Sequence, residues 1–194
     1  PHTIGRRQRQ MCIRDRAQQG LNTDELDSLV ESGLARQADA DTYDVHDLIR
    51  EFLLRSLSPT LREEFHGKCV DWYQKQSASH ELRIELVYHS IKSSQFEAAS
   101  DIIVNEGRQL VSQGYMELLG LIEQIQTDDL ASNVVVRMAQ IQGDILALLG
   151  RLNEAEEVLN NTLERAQSTA DELVQAEILS SLADVSRKQG NSDL

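Results

Sequence analysis

The strongest constraint on the fold is a pattern that occurs twice, forty residues apart. The stretch "GDILALLGRLNEAEEVL" places Gly143, Leu146, Gly150, Ala155 and Leu159 in a fixed order of small and large residues, and "LADVSRKQGN" repeats its first part with Ala183 and Gly190. The offsets Gly143 to Ala183 and Gly150 to Gly190 are both 40 residues. A chain that repeats itself at this period builds one supersecondary unit several times and buries its apolar surface by stacking neighbours. The apolar spacing is helical. The breaks between helices fall at polar or glycine positions: "KSSQ" at 92–95, "QG" at 113–114, "LGRLNEAE" at 149–156 and "KQGN" at 188–191. Helical hairpins over residues 80–194 follow.

Small residues at one position of each unit let paired helices approach closely, and Leu159 fills the gap beside them. This arrangement resembles a tetratricopeptide repeat in a longer variant, since the usual period of that family is 34 residues. A more divergent unit is "YHSIKSSQFEAASDII", with Ala98, Ala99, Ile102 and Ile103. The resemblance implies a curved α-solenoid in which Gly143 and Ala155 face each other across one hairpin. The competing arrangement is a closed helical bundle with the same spacings. The next small position would fall near residue 195, so the last repeat is expected to be cut. Leu179, Leu182 and Val185 are then expected at an exposed apolar edge.

Residues 1–16, "PHTIGRRQRQMCIRDR", hold five arginines, one acid and no helical or strand period. Their segment Arg6–Arg16 resembles a frame translation of a transposon-based sequencing adapter, and residues 1–16 are set apart as an artefact rather than a basic nucleic-acid arm. The gene is then expected to be cut on its N-terminal side. The whole chain carries a net charge of −13. Without residues 1–16 there remain 14 basic against 31 acidic side chains, a net charge of −17, which argues against a nucleic-acid or anionic-membrane surface. The remainder keeps one cysteine, Cys69, which suits a reducing, cytoplasmic setting. Its single proline and few aromatics favour helices, and no apolar run approaches the roughly 18 residues of a membrane span.

Residues 17–77 read differently. A short helix over 22–33 has Asn22 or Thr23 to cap it, Asp24 and Glu25 in its first turn, an apolar face of Leu26, Leu29 and Val30, and Gly33 to end it. "LARQADADTYDV" gives two short extended runs around "ADAD", a hairpin. A helix over 47–57 follows, with Leu48/Phe52 and Ile49/Leu53 at i, i+4. Ser58-Pro59 breaks and restarts the chain, and a helix over 59–77 carries Leu61, Phe65, Cys69, Trp72 and Tyr73 on one face. Helix, β-hairpin, helix in this order is the C-terminal part of a winged-helix domain. The fold class is therefore mostly α: a partial winged helix at 17–77, a helical linker or divergent repeats at 78–130, and repeats at 131–194.

Few constellations in the chain carry chemistry. His66 and Cys69 stand at i, i+3, with His80 and His89 following, and this resembles half a zinc site. No second cysteine accompanies them, and Cys69 falls on the apolar stripe, so a core cysteine is the preferred reading. Nothing near Cys69 or the serines suggests an activated nucleophile. The chain has no GxxxxGK[ST] phosphate loop and no Gly-rich dinucleotide turn. No catalytic and no metal-ligating residue is assigned, and the chain by itself reads as no enzyme. Duplex DNA is the ordinary ligand of a winged helix. Here the helix before the wing holds Asp24, Glu25, Asp27 and Glu31 without one Lys or Arg, and the hairpin adds Asp39, Asp41 and Asp44 against a lone Arg36. Those carboxylates would repel phosphates.

The run "LVESGLARQADADTYDVHDLIREFLLRSL" resembles the winged-helix segment of the STAND-class signalling ATPases. Val45-His46-Asp47 matches that family's Met-His-Asp motif, with valine for methionine. The stretch "ELVYHSIKSSQFEAASDIIVNEGRQLVSQG" and the repeats after it are similar to the linker and superhelical sensor of the maltotriose-responsive activator branch. The resemblance covers residues 21–194. It implies that the intact protein carries an upstream nucleotide-binding domain with ADP or ATP as cofactor. It implies that His46 contacts the β-phosphate of ADP and senses the nucleotide state. It also implies that the repeats receive a protein or small-molecule inducer, with oligomerisation on activation. An imidazole suits the phosphate contact because it can donate a hydrogen bond in either protonation state. Asp47, placed where a helix N-cap belongs, is expected to cap the helix and secondarily to partner His46. The alternatives are a tetratricopeptide scaffold without a nucleotide switch and a DNA-binding winged-helix regulator.

Overall fold

The computed structural model describes residues 23–39, 42–45, 47–76, 79–169 and 172–190. The protein is mostly helical, with one antiparallel β-hairpin near its start. It divides into two compact units between Trp72 and Tyr73.

The first unit opens with α1 (Thr23–Glu31), followed by β1 (Ala35–Asp39), β2 (Thr42–Val45), α2 (Asp47–Ser56) and most of α3 (Pro59–Tyr73). Gly33 ends α1 with a φ of +71°, which only glycine adopts freely. Its N–H bonds Val30 O, and the N–H of Leu34 reaches back to Leu29 O, both at 3.0 Å. This is the paired 5→2 and 6→1 closure of a Schellman motif. β1 and β2 pair with Ala35 opposite Val45 and Gln37 opposite Tyr43, and the register slips between Gln37 and Asp39. Ser58 caps α3 through a bond from Leu61 N to its Oγ at 3.2 Å, with Pro59 as the first helical residue. α3 stops at Tyr73, four residues short of the expected 77. Leu61 is exposed, Phe65 half-buried and Cys69 buried. The face named in the sequence is therefore buried only over its second half.

The second unit is a run of helices that pack on their neighbours: α4 (His80–Lys92), α5 (Phe96–Ser112), a short α6 (Leu118–Ile122), α7 (Ser132–Leu148), α8 (Leu152–Thr169) and α9 (Glu172–Gln189). α4 packs on α5, α5 on α7, α7 on α8 and α8 on α9. α7 also meets α6 and α9, which explains why it is buried on nearly all sides: Val136, Met138, Gln140, Ile141, Ile145 and Leu146 are each at most 3% exposed. The 40-residue offset holds for packing as well as for sequence. Met138 and Ile178 are buried, as are Ile145 and Val185, and Gly150 and Gly190 both follow their helix with a positive φ.

The contact between α7 and α8 is set by Gly143. A Cβ built there would lie 2.6 Å from Cγ of Leu159 and 2.7 Å from its Cδ2, well inside van der Waals contact. Leu159 is fully buried, on a stripe with Ala155, Thr162 and Ala166. α5 approaches α7 in the same way, more loosely: a Cβ on Gly107 would meet Ile141 Cδ1 at 3.1 Å. The turns between hairpins share one closure. At Gly114 and Gly150 the glycine N–H bonds Val111 O or Ala147 O, and the next residue's N–H bonds Leu110 O or Leu146 O. Ser94 fills the same place after α4 with φ +59°, an unfavourable conformation for a residue with a Cβ.

The exposed edge expected at Leu179, Leu182 and Val185 is corrected in part. Leu179 is 53% exposed, but Leu182 packs against the core and Val185 is completely buried. Val185 repeats Ile145 and so lies on the stripe facing inward, roughly 120° around the helix from Leu179 at about 100° per residue.

Two substitutions test this packing. Gly143→Ala should lower stability by up to about 2 kcal/mol in urea denaturation, because overpacking costs roughly 1–3 kcal/mol and the gain in helix propensity returns about 1 kcal/mol. Leu159→Ala should cost about 2–5 kcal/mol alone and clearly less when Gly143→Ala is already present. Ser94→Gly should raise stability by about 0.5–1 kcal/mol by relieving the left-handed serine.

Candidate functional site

The repeat spacing brings polar side chains from three helices to one place in the second unit. On α9, Glu177, Ser181, Asp184 and Lys188 recur at intervals of four, three and four, so they share one helical face. Asp144 on α7 is the forty-residue equivalent of Asp184, each following its unit's small residue. Arg108 comes from α5. These side chains border an open cavity of about 370 Å³, whose apolar lining includes Ala147 and the exposed Leu148.

Arg108 is the hub. Its Nη2 lies 2.9 Å from Oε2 of Glu177, and its Nε lies 4.0 Å from Oδ2 of Asp144. The Ser181 hydroxyl donates to Oδ1 of Asp144 at 2.6 Å. Lys188 Nζ donates to the carbonyl of Ala147 at 3.4 Å, which leaves two of its three protons for other acceptors. Burial pushes the Asp144 carboxyl above its ordinary value. The Ser181 hydrogen bond and then the Arg108 charge pull it down, while Asp184 and Glu177 push it up. The face thus offers spare anionic acceptors, an ammonium donor and a hydrophobic rim. It can hold the mixed polar and apolar groups of a peptide or a small ligand. The Ser181 proton is directed at the Asp144 carboxylate.

A second, shallower opening of about 660 Å³ surrounds the turn between α7 and α8, bordered by Arg151, Asn153, Glu156 and Gln189. Gln189 Nε2 donates there to Oε2 of Glu156 at 2.9 Å.

Of the residues singled out in the sequence, His66, Cys69, His80 and His89 are described, and none of them borders this cavity. His46 falls outside the described residues. Asp47 begins α2, and its side chain is likewise outside the description. His80 Nε2 lies 3.0 Å from Nε2 of Gln109. His89 is 2% exposed, with its ring 5.5 Å from that of Tyr73 and 5.2 Å from that of Tyr88. Cys69 is buried. Among the described residues no three of His, Cys, Asp and Glu gather as metal ligands, and no helix is long and apolar enough to cross a membrane. Sequence reading missed Arg108, Asp144, Glu177, Ser181, Asp184 and Lys188. The signal available was the acid directly after each repeated small residue, "GD" at 143–144 and "AD" at 183–184.

The raised Asp144 carboxyl has a pH signature. A carboxyl whose folded value lies above its unfolded one stabilises the fold at low pH and loses that contribution as pH rises through the folded value. Asp144→Asn, which retains an acceptor for Ser181, should therefore raise the urea midpoint at pH 7.5. The advantage should shrink steadily toward pH 4. Comparison of this chain with known proteins found no matching family model, no matching curated protein and no matching solved structure.

Proposed function

We propose that this chain is a regulatory segment of a STAND-type signal-transduction ATPase. In this reading residues 17–77 belong to a winged helix that senses the nucleotide state, residues 78–130 are a helical linker or divergent repeats, and residues 131–194 are tetratricopeptide-like repeats; the array receives a protein or small-molecule inducer on the α5/α7/α9 face. The observation that supports the repeat reading best is the Gly143–Leu159 contact, with its stripe of Met138 and Ile145 returning forty residues later as Ile178 and Val185. The segment itself carries no chemistry. ADP or ATP would be held by an upstream nucleotide-binding domain of the same polypeptide, which would act in the cytoplasm and oligomerise on activation. Direct contact with nucleic acid is disfavoured by the exposed Asp24, Asp27 and Glu31 of α1. A scaffold of the same repeats without a nucleotide switch is the second reading, since the α5/α7/α9 face would serve it equally.

His46 separates the two. A hydrogen bond to a charged phosphate contributes about 1.5–3 kcal/mol. His46→Ala in a polypeptide with its nucleotide-binding domain should therefore speed ADP release roughly ten- to hundredfold, leave the nucleotide-free melting temperature unchanged, and give partial activity without inducer. Asp47→Ala should instead lower stability by about 1 kcal/mol as a lost helix cap. An unchanged ADP off-rate together with an equal loss of melting temperature in both variants would leave the scaffold reading. Residues 17–194 alone should bind neither ADP nor duplex DNA at micromolar concentration in calorimetry.

A further inference from the structure

Arg108 is one guanidinium between two carboxylates that belong to different helices. Its Nη2 lies 2.9 Å from Oε2 of Glu177 on α9, and its Nε lies 4.0 Å from Oδ2 of Asp144 on α7. The first is a hydrogen-bonded ion pair, and the second is a charge contact too long for a hydrogen bond. Asp144 is therefore the acid that Arg108 serves second. Its Oδ1 takes the Ser181 hydroxyl at 2.6 Å, so α9 also lies directly upon it.

The groups around Asp144 make its proton the deciding variable. Arg108 faces it from α5, and Glu177 and Asp184 face it from α9. Asp184 is paired with Arg187 at 2.7 Å, and Lys188 is turned to the carbonyl of Ala147. α6 and α8 also pack on α7, and among the described residues they bring no charge to Asp144. Burial, and then the two carboxylates of α9, hold the Asp144 carboxyl above its ordinary value against the pull of Ser181 and Arg108. When α9 leaves, its cover, Ser181 and both carboxylates leave with it, while Arg108 stays on α5. An ionised Asp144 then exchanges the Ser181 bond for water, escapes two like charges and gains an Arg108 that Glu177 no longer holds. A neutral Asp144 makes no such claim. It keeps a hydrogen bond with Ser181 and leaves Arg108 to Glu177.

We propose that Arg108 is a proton-controlled clasp on α9, closed on Glu177 when Asp144 is protonated and drawn toward Asp144, loosening α9, when Asp144 is ionised. The clasp is at full strength below the ordinary carboxylate range and weakens as pH rises through the raised value of Asp144. The same side chains border the open cavity, so the proton sets how firmly the α5/α7/α9 face is assembled. The inference rests on the packing of α9 and on neither the nucleotide switch nor an inducer.

Hydrogen exchange of the full chain from pH 4 to pH 7.5, corrected for the intrinsic rate at each pH, reads the opening of α9. That opening should rise roughly threefold or more across the range. Asp144→Asn should hold α9 near its pH 4 protection throughout, since an amide neither repels Glu177 and Asp184 nor competes for Arg108. Every other titratable group is common to both proteins, so the difference between them isolates Asp144. Glu177→Gln cuts the clasp at its other end, and α9 should then open more readily at pH 4 and change less with pH. An NMR titration of the unsubstituted chain needs no variant to fold: the Arg108 Nε signal should move with the same midpoint as the Asp144 carboxyl carbon. A pH dependence of α9 that survives Asp144→Asn overturns the proposal. So does α9 protection that stays level or grows as pH rises, or an Arg108 Nε signal that does not follow Asp144.

Discussion

One missing methyl group organises the second unit. With no Cβ at Gly143, α7 and α8 come together until the side chain of Leu159 occupies the vacated space. α7 is the helix on which the unit is assembled, since α5, α6, α8 and α9 all touch it. A wider α7/α8 spacing would pull α8 off the surface it shares with α9. It would also alter the relation of Asp144 to Ser181 and Arg108, which depends on α5, α7 and α9 keeping their places. The polar face is therefore a consequence of backbone approach deep in the unit.

How much of this could be read from the sequence depends on how local each feature is. Gly33, Gly114 and Gly150 were legible as helix ends because a left-handed residue after a helix is a local demand that glycine meets. The Ser58-Pro59 restart was legible for the same reason. Leu159 beside Gly143 was legible because both belong to one hairpin. α6 was not foreseen: five residues, "LLGLI", give no period to read. The end of α3 was placed four residues late because "QKQS" after Tyr73 holds no glycine or proline to mark the stop. Val185 was misassigned to an exposed edge because, without the packing of α8 on α9, nothing in one helix says which apolar stripe faces inward.

The polar face was the least legible. Arg108 and Glu177 are 69 residues apart, and no local pattern joins an arginine in "NEGRQL" to a glutamate in "QAEIL". Only the stacking order of α5, α7 and α9 does so. The histidines stood out in the sequence because of their chemistry, yet His80 and His89 are held by a glutamine and by tyrosine rings.

The stacking order also governs how the unit can come apart. Most helices here touch only helices next to them or one further along, so pulling on the C-terminus would strip α9 and then α8 without first disturbing α4. The Arg108–Glu177 pair skips over that sequence, tying the outermost helix to α5. It works as a latch across the peeling direction. Exposed ion pairs resist little at equilibrium, but a bond that must break before α9 can leave adds to the mechanical barrier at the first step. A ligand bridging the same helices would strengthen that latch and make the unit respond to tension according to its occupancy.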